Sequence, residues 1–179
     1  NPGIRPPFLR EMTTSQRALW HQAYDPRNLK YRKLKQLGKL EGRNGVLYTY
    51  QRFIKDYVRC IDGLDQQVGR ILRFLDEEKL SANTLVVYSS DQGFFTGEHG
   101  WAEKRWMYEE SFKSPLLMRW PGTIAPGSKI NELVQNIDLA PTFLRAAGVD
   151  IPPAVHGLPI QRILSDKAVS GWRQEILYQ

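Results

Sequence analysis

Thr84-Leu85-Val86-Val87-Tyr88-Ser89-Ser90-Asp91-Gln92-Gly93 is the stretch on which the fold turns. Thr84 to Ser89 is β-branched and apolar without alternation, the pattern of a strand buried on both faces. Upstream, Leu47, Tyr50, Ile54, Tyr57, Ile61, Leu64, Val68, Ile71 and Leu75 recur at steps of three and four. That is the stripe of an amphipathic helix sustained for about eight turns, and it reads as core-facing. Gly63 and Gly69 interrupt it, which allows a bend or a close packing contact. A helix followed by a strand predicts an α/β layer with a mainly parallel sheet. In such sheets ligands lie beyond the carboxyl ends of the strands, where Asp91 stands.

Asp91 and Gln92 offer a carboxylate and an amide oxygen side by side. Hard cations such as Ca²⁺ or Mg²⁺ take such ligands in preference to thiolates or imidazoles. Two protein oxygens are too few for either ion, so further ligands have to come from elsewhere. The competing reading is a turn in which Asp91 caps through Gly93. Downstream stand Gly97-Glu98-His99-Gly100 and Lys104-Arg105. Lys104 is placed either to neutralise a bound anion or to stand as a solvated charge. His99 is either a donor to a leaving oxygen and a substrate contact, or a satisfied structural histidine. His21 and His156 have no motif around them and read as surface or packing residues. A hard cation beside a lysine points to metal-assisted chemistry on a charged oxyanion ester.

Around this centre the chain is organised simply. Residues 1–45 read as irregular, because Pro2, Pro6, Pro7 and Pro26 break periodicity and Asn44-Gly45 is a turn signal. Short helical pieces are expected there at Ser15–Tyr24 and Tyr31–Leu37. Past the Gly-rich stretch 91–106, Met107–Phe112 reads as a short helix and Pro115–Trp120 as a second strand stopped by Pro121-Gly122. Ile137–Ala147 reads as a helix capped by Gly148, Ile160–Leu164 as one helical turn, and Trp172–Tyr178 as the start of a strand.

With 179 residues the chain is long enough for one domain with a real core. No run approaches the ~20 apolar residues of a membrane span, and no signal pattern opens the sequence. The single cysteine, Cys60, cannot form an internal disulfide and sits in the helical pattern as a small packing residue. The net charge of +6 is uneven, with 13 Lys/Arg against 4 Asp/Glu in residues 1–60. Much of the excess lies in Arg27–Arg43, which reads as a solvated basic face, an attractor of anionic glycan, or a nucleic-acid contact. No zinc-finger spacing or RNA-recognition aromatic motif supports the last, so nucleic acid is not an expected partner.

The stretch Thr84–Trp101, with Lys104-Arg105-Trp106-Met107-Tyr108-Glu109-Glu110-Ser111, closely resembles the type I sulfatases of the alkaline phosphatase superfamily. The resemblance continues through Ser114–Gly122 and Asn136-Ile137-Asp138-Leu139-Ala140-Pro141-Thr142-Phe143. Upstream, Tyr57–Leu75 with Asp65 and Gly69 looks like the helix before this strand, so the resemblance covers roughly residues 46–165. It implies an alkaline-phosphatase-like α/β fold: a mixed, mainly parallel sheet with flanking helices. It also implies Ca²⁺, with Mg²⁺ as the alternative, held by Asp91 and Gln92. Lys104 matches the lysine that contacts sulfate, and His99 lies in a loop lining the pocket. The implied substrate is a sulfate ester, on a sulfated carbohydrate, and the implied location is periplasmic, extracellular or lysosomal.

These enzymes use a formylglycine nucleophile made from a Cys/Ser-x-Pro/Ala-x-Arg signature. Cys60 is followed by Ile61-Asp62-Gly63-Leu64, and no serine starts that signature, so the nucleophile is absent from this chain. The family's first metal-binding Asp-Asp pair is absent too. The chain therefore reads as a fragment: 1–45 an irregular basic segment, 46–179 the C-terminal part of a sulfatase catalytic domain. The remainder of the sulfatase chain would be its partner, and alone the fragment would be inactive. Two alternatives are a phosphodiesterase or phosphonate monoester hydrolase of the same superfamily, and a non-catalytic module that binds anionic glycan through Arg27–Arg43.

Overall fold

A computed structural model describes residues 11–164 and 170–176 of the chain. The prolines at 2, 6 and 7 and the end of the strand expected at Trp172–Tyr178 lie outside the described residues. The chain forms two compact units, Asn1–Asp65 and Gln66–Gln179.

In the first unit, α1 runs over Thr14–Gln36 as one 23-residue helix, where the sequence suggested an irregular segment with two short pieces. A capping box starts it. The Thr13 Oγ1 accepts from the Gln16 N–H at 3.3 Å, and the Gln16 Oε1 accepts from the Thr13 N–H at 2.9 Å. This satisfies donors that a helix start leaves orphaned. Pro26 sits inside the helix without ending it. Side-chain pairing with α2 (Gly42–Glu77) holds this stretch. Arg27 pairs with Asp56, Arg52 with Asn28, and Tyr31 faces Tyr48 at 6.1 Å between rings. The partners run in opposite order, so the two helices are antiparallel here. Proline's usual penalty is overridden by tertiary pairing that sequence pattern does not display. Lys30, Lys33, Lys35 and Lys39 remain exposed, whereas Arg27 is committed to Asp56.

The apolar stripe of α2 is correct as a helix signal and incorrect as a burial signal. No residue of α2 is buried, and Leu47, Ile61 and Ile71 are 48%, 49% and 58% exposed. Periodicity fixes the helical period, but burial needs an opposing apolar surface. Cys60, expected as a small packing residue, is exposed on the same helix.

The second unit holds the strands. After the end of α2, a single 3₁₀ turn at Ser81–Asn83 leads into β1 (Val86–Ser89). A short ribbon follows, β2 (Phe95–Thr96) with β3 (Ala102–Glu103), and then α3 (Glu109–Phe112) and β4 (Leu116–Arg119). β1 pairs with β4 in antiparallel register, Val86 opposite Arg119 and Ser89 opposite Leu116. β2 and β3 pair antiparallel as well. A parallel pairing is therefore not found among the described residues, and β1 is half-buried along its length instead of enclosed. One parallel neighbour would need a crossover of a dozen residues or more, and β1 and β4 are antiparallel across a loop-rich connection.

A 3₁₀ turn, Asn136–Asp138, opens α4 (Leu139–Ala146). Gly148 ends it at φ 68°, the left-handed conformation that a helix C-terminus favours. One further 3₁₀ turn covers Ile160–Ile163. Residues 172–176 form no strand; Trp172 packs inward instead, against Ile160 and Ile163. Leu116, Met118, Val134, Leu139, Leu158 and Leu164 surround this small core, so it clamps β4 to the α4 region. Among the described residues no helix is long and apolar enough to cross a membrane.

Candidate functional site

β1 ends at Ser89, so Asp91 and Gln92 emerge just past its carboxyl end. Their backbone is held from two sides. The Ser90 Oγ donates to the Gln92 carbonyl at 2.9 Å and to the Asp91 Oδ1 at 3.3 Å. The Asn136 Nδ2 donates to the carbonyls of Ser90 and Asp91 at 3.2 and 3.1 Å. On the far side the Gly93 N–H donates to the Ser111 carbonyl at 2.8 Å. Gly93 lies so close to α3 that a Cβ would overlap the Glu110 carbonyl, which only glycine avoids. The Asp91 side chain is left exposed and Gln92 half-buried.

The predicted anion-binding residues sit on the β2–β3 ribbon and just beyond it. At its tip the Glu98 carboxylate accepts from the Thr96 N–H at 2.6 Å and the Thr96 hydroxyl at 3.0 Å. The Glu98 and Thr96 backbone N–H groups and that hydroxyl hold the Glu98 carboxyl below its ordinary range. His99 follows in a left-handed conformation, φ 57°, between Gly97 and Gly100. Its ring lies against Tyr108 at 4.6 Å and meets Phe95 edge-on at 6.0 Å. Its Nε2 is 3.4 Å from the Glu110 Oε1. The fully buried Phe95 is the floor of this aromatic cluster; Trp101 meets it edge-on at 5.7 Å and lies tilted against Trp106 at 4.9 Å. Lys104 is half-buried, and among the described residues its ammonium has no ion pair. Glu103 and Arg105 on either side adopt φ 86° and 92°. Left-handed backbone at ordinary residues costs about 1–3 kcal/mol each, and such strain gathers at functional loops.

Ser111 joins the two halves. Its carbonyl accepts from Gly93, and its Oγ accepts from the Arg105 N–H at 3.1 Å. The buried Ser111 thus ties the Asp91-Gln92 segment and the Lys104 segment to one residue of α3. Sequence pattern assigns no role to Ser111 or Asn136, although they lie in the motif stretches 104–111 and 136–143. A short polar residue gives no periodic signal, and its partners lie 6 to 46 positions away.

Among the described residues no group of three or more His, Cys, Asp or Glu could hold a metal. The oxygen donors of Asp91 and Gln92 suit a hard cation in kind, but not in number, since Ca²⁺ takes ~6–8 oxygens. They fit part of such a site.

The family described as N-sulphoglucosamine sulphohydrolase, C-terminal, matches residues 97–179. Across 161 residues, 89% of this chain, the sequence is 40% identical to an N-acetylglucosamine-6-O-sulfatase of Bacteroides thetaiotaomicron. The chain belongs to the sulfatases. It is also 36% identical over 121 residues to the human N-acetylglucosamine-6-sulfatase. A solved structure of a protein in complex with its substrate, D-glucosamine-2-N,6-O-disulfate, aligns over 92% of the chain with a TM-score of 0.80 and 38% identity. A phosphonate monoester hydrolase from Silicibacter pomeroyi aligns over 62% with a TM-score of 0.57. The fold is accordingly the α/β, alkaline-phosphatase-like one, present here as a partial domain. This sulfatase chain spans 28% of the bacterial relative, 21% of the human one and 33% of the disulfate-bound structure.

Proposed function

We propose that the chain contributes part of the active site of a sulfuric ester hydrolase that acts on a sulfated glucosamine. The observation that carries this is the 0.80 TM-score alignment with the structure that holds a disulfated glucosamine. The phosphonate monoester hydrolase overlaps less of the chain and less well, which favours sulfate over phosphonate. Residues 46–179 are read as the C-terminal part of the catalytic domain and 1–45 as a basic segment before it. The remainder of the sulfatase chain supplies the other ligands and the nucleophile, for which the family resemblance expects a formylglycine. An exported compartment, periplasmic, extracellular or lysosomal, goes with this reading.

In it Asp91 and Gln92 would hold Ca²⁺, or Mg²⁺ in its place, and the bound cation would supply fixed positive charge to a sulfate ester. Lys104, unpaired among the described residues and held between two strained neighbours, places its ammonium on the same anion. Charge that grows on the sulfuryl oxygens during substitution at sulfur is stabilised most when donors are already in place. His99, fixed by Tyr108 and Glu110, orients the sugar end of the ester.

The test uses the whole sulfatase that contains these 179 residues, called the full chain below, and glucosamine-6-sulfate. Lys104→Ala is expected to lower kcat/KM by about 10²–10³-fold, the scale of one lost oxyanion donor. Wild-type protein is expected to prefer the sulfate ester over a phosphonate monoester. The reverse preference would give the phosphonate reading the site.

A further inference from the structure

We propose that Asn136 is a positioning residue for the Asp91-Gln92 site, and that the buried Asp138–Arg173 pair holds Asn136 in register. The inference rests on the reading of Asp91 as a metal ligand. The Asn136 side-chain amide donates to two consecutive carbonyls, those of Ser90 and Asp91, at 3.2 and 3.1 Å. Two adjacent peptide groups are thereby fixed, and with them the direction in which the Asp91 side chain leaves the backbone.

Asn136 itself is exposed, so its own burial anchors nothing. The anchor is two residues on. The fully buried Asp138 accepts from the Gln135 N–H at 2.8 Å and the Leu158 N–H at 2.7 Å. Arg173 grips the same carboxylate with both terminal nitrogens, the Nη2 at 2.7 Å from the Oδ1. The Thr142 hydroxyl closes on the Asp138 carbonyl at 2.5 Å and accepts from the Ile160 N–H at 2.9 Å. Gly157 lies so close to the Ile137 carbonyl that a Cβ would overlap it. Two distant chain segments, Gly157–Ile160 and Arg173, together with Thr142 of the adjoining α4, thus lock one 3₁₀ turn, and the outward product of that locking is a single exposed amide aimed at the end of β1. A turn that only packed α4 against the core would not need it.

Calorimetric titration of Ca²⁺ into the chelator-treated full chain tests this, with Asn136→Ala and with Asn136→Leu, which keeps the branched shape and lacks the donor. Both are expected to bind Ca²⁺ about 10–100-fold more weakly, as loss of an outer partner of a metal ligand does. The melting temperature in chelator is expected to stay at the wild-type value, and the rise on adding a fixed low Ca²⁺ concentration to shrink. Unchanged Ca²⁺ affinity in either variant overturns the proposal. So does a lower melting temperature in chelator with the Ca²⁺-dependent rise intact, since that is a structural staple alone. Asp91→Ala separates the two levels. If it keeps wild-type affinity, the metal-ligand reading fails. If it loses affinity while the Asn136 variants keep theirs, positioning alone fails.

Discussion

Ser111 ties together the two segments to which the proposed function gives cation and anion binding. Its backbone carbonyl accepts from the Gly93 N–H, next to Asp91 and Gln92, and its hydroxyl accepts from the Arg105 N–H, next to Lys104. Ser111→Ala keeps the first bond and removes the second. In the full chain it is expected to raise KM for a sulfated sugar several-fold, the equivalent of about 1 kcal/mol for one hydrogen bond. Ca²⁺ affinity measured on the same variant is expected to hold. A matching loss of Ca²⁺ affinity would show that the two segments do not separate at this residue. The place of Asp91 just past an apolar strand was legible in the sequence, and so was that of Lys104 on the Gly-rich stretch. Ser111, Asn136 and Arg173 were not, because their roles exist only through partners brought together by folding. The His99 contacts with Tyr108 and Glu110 were equally out of reach of spacing arguments.

At the scale of elements, the 3₁₀ turn Asn136–Asp138 sits between α4 and the end of β1 and depends on a buried ion pair. Burial pushes the Asp138 carboxyl up. The Arg173 guanidinium and the Gln135 and Leu158 N–H groups outweigh it, and the group lies below its ordinary value. A carboxylate depressed in the folded state stabilises above the unfolded value, about 3.9. That contribution disappears as pH falls through the folded value. Asp138→Asn leaves Arg173 facing a neutral amide, and breaking one side of a buried pair costs about 3–5 kcal/mol. Thermal unfolding of the full chain is therefore expected to show the largest gap between wild type and Asp138→Asn at neutral pH. The gap should narrow below about pH 4 as wild type loses its charge. A gap independent of pH would mean that packing, not the ion pair, holds the turn. The elements themselves were unevenly legible. The helix period of α2, the end of β1 and the Gly148 cap follow from local pattern. α1 was obscured by Pro26, although Thr13-x-x-Gln16 is a readable capping box. The β1–β4 direction was out of reach, since strand order is set by contacts between distant residues.

For the whole molecule, the mismatch between pattern and burial carries the argument. α2 has the apolar stripe of a core helix, yet none of its residues is buried, and Leu117, Phe143 and Trp106 are 66%, 43% and 57% exposed. The buried hydrophobic core comprises Phe95, Ile160, Ile163 and Trp172 among the described residues. Full burial of four such side chains contributes only about 1.5–3 kcal/mol each, against about 1–2 kcal/mol of backbone entropy for every ordered residue. Such exposed apolar surface marks places where another surface packs. The chemistry repeats the same imbalance. On the proposed reading Asp91 and Gln92 supply one carboxylate and one amide oxygen where a calcium site needs about six to eight oxygens, and no Cys or Ser of the sequence opens a Cys/Ser-x-Pro/Ala-x-Arg signature. The 179 residues expressed alone are therefore expected to give no turnover of an aryl sulfate with or without Ca²⁺. The full chain should turn it over under the same conditions. Apolar-dye binding should be high for the 179 residues and low for the full chain, since the stripe of α2 would be covered only there. Turnover by the isolated residues would place a nucleophile among them and overturn the assignment of attack to the rest of the sulfatase.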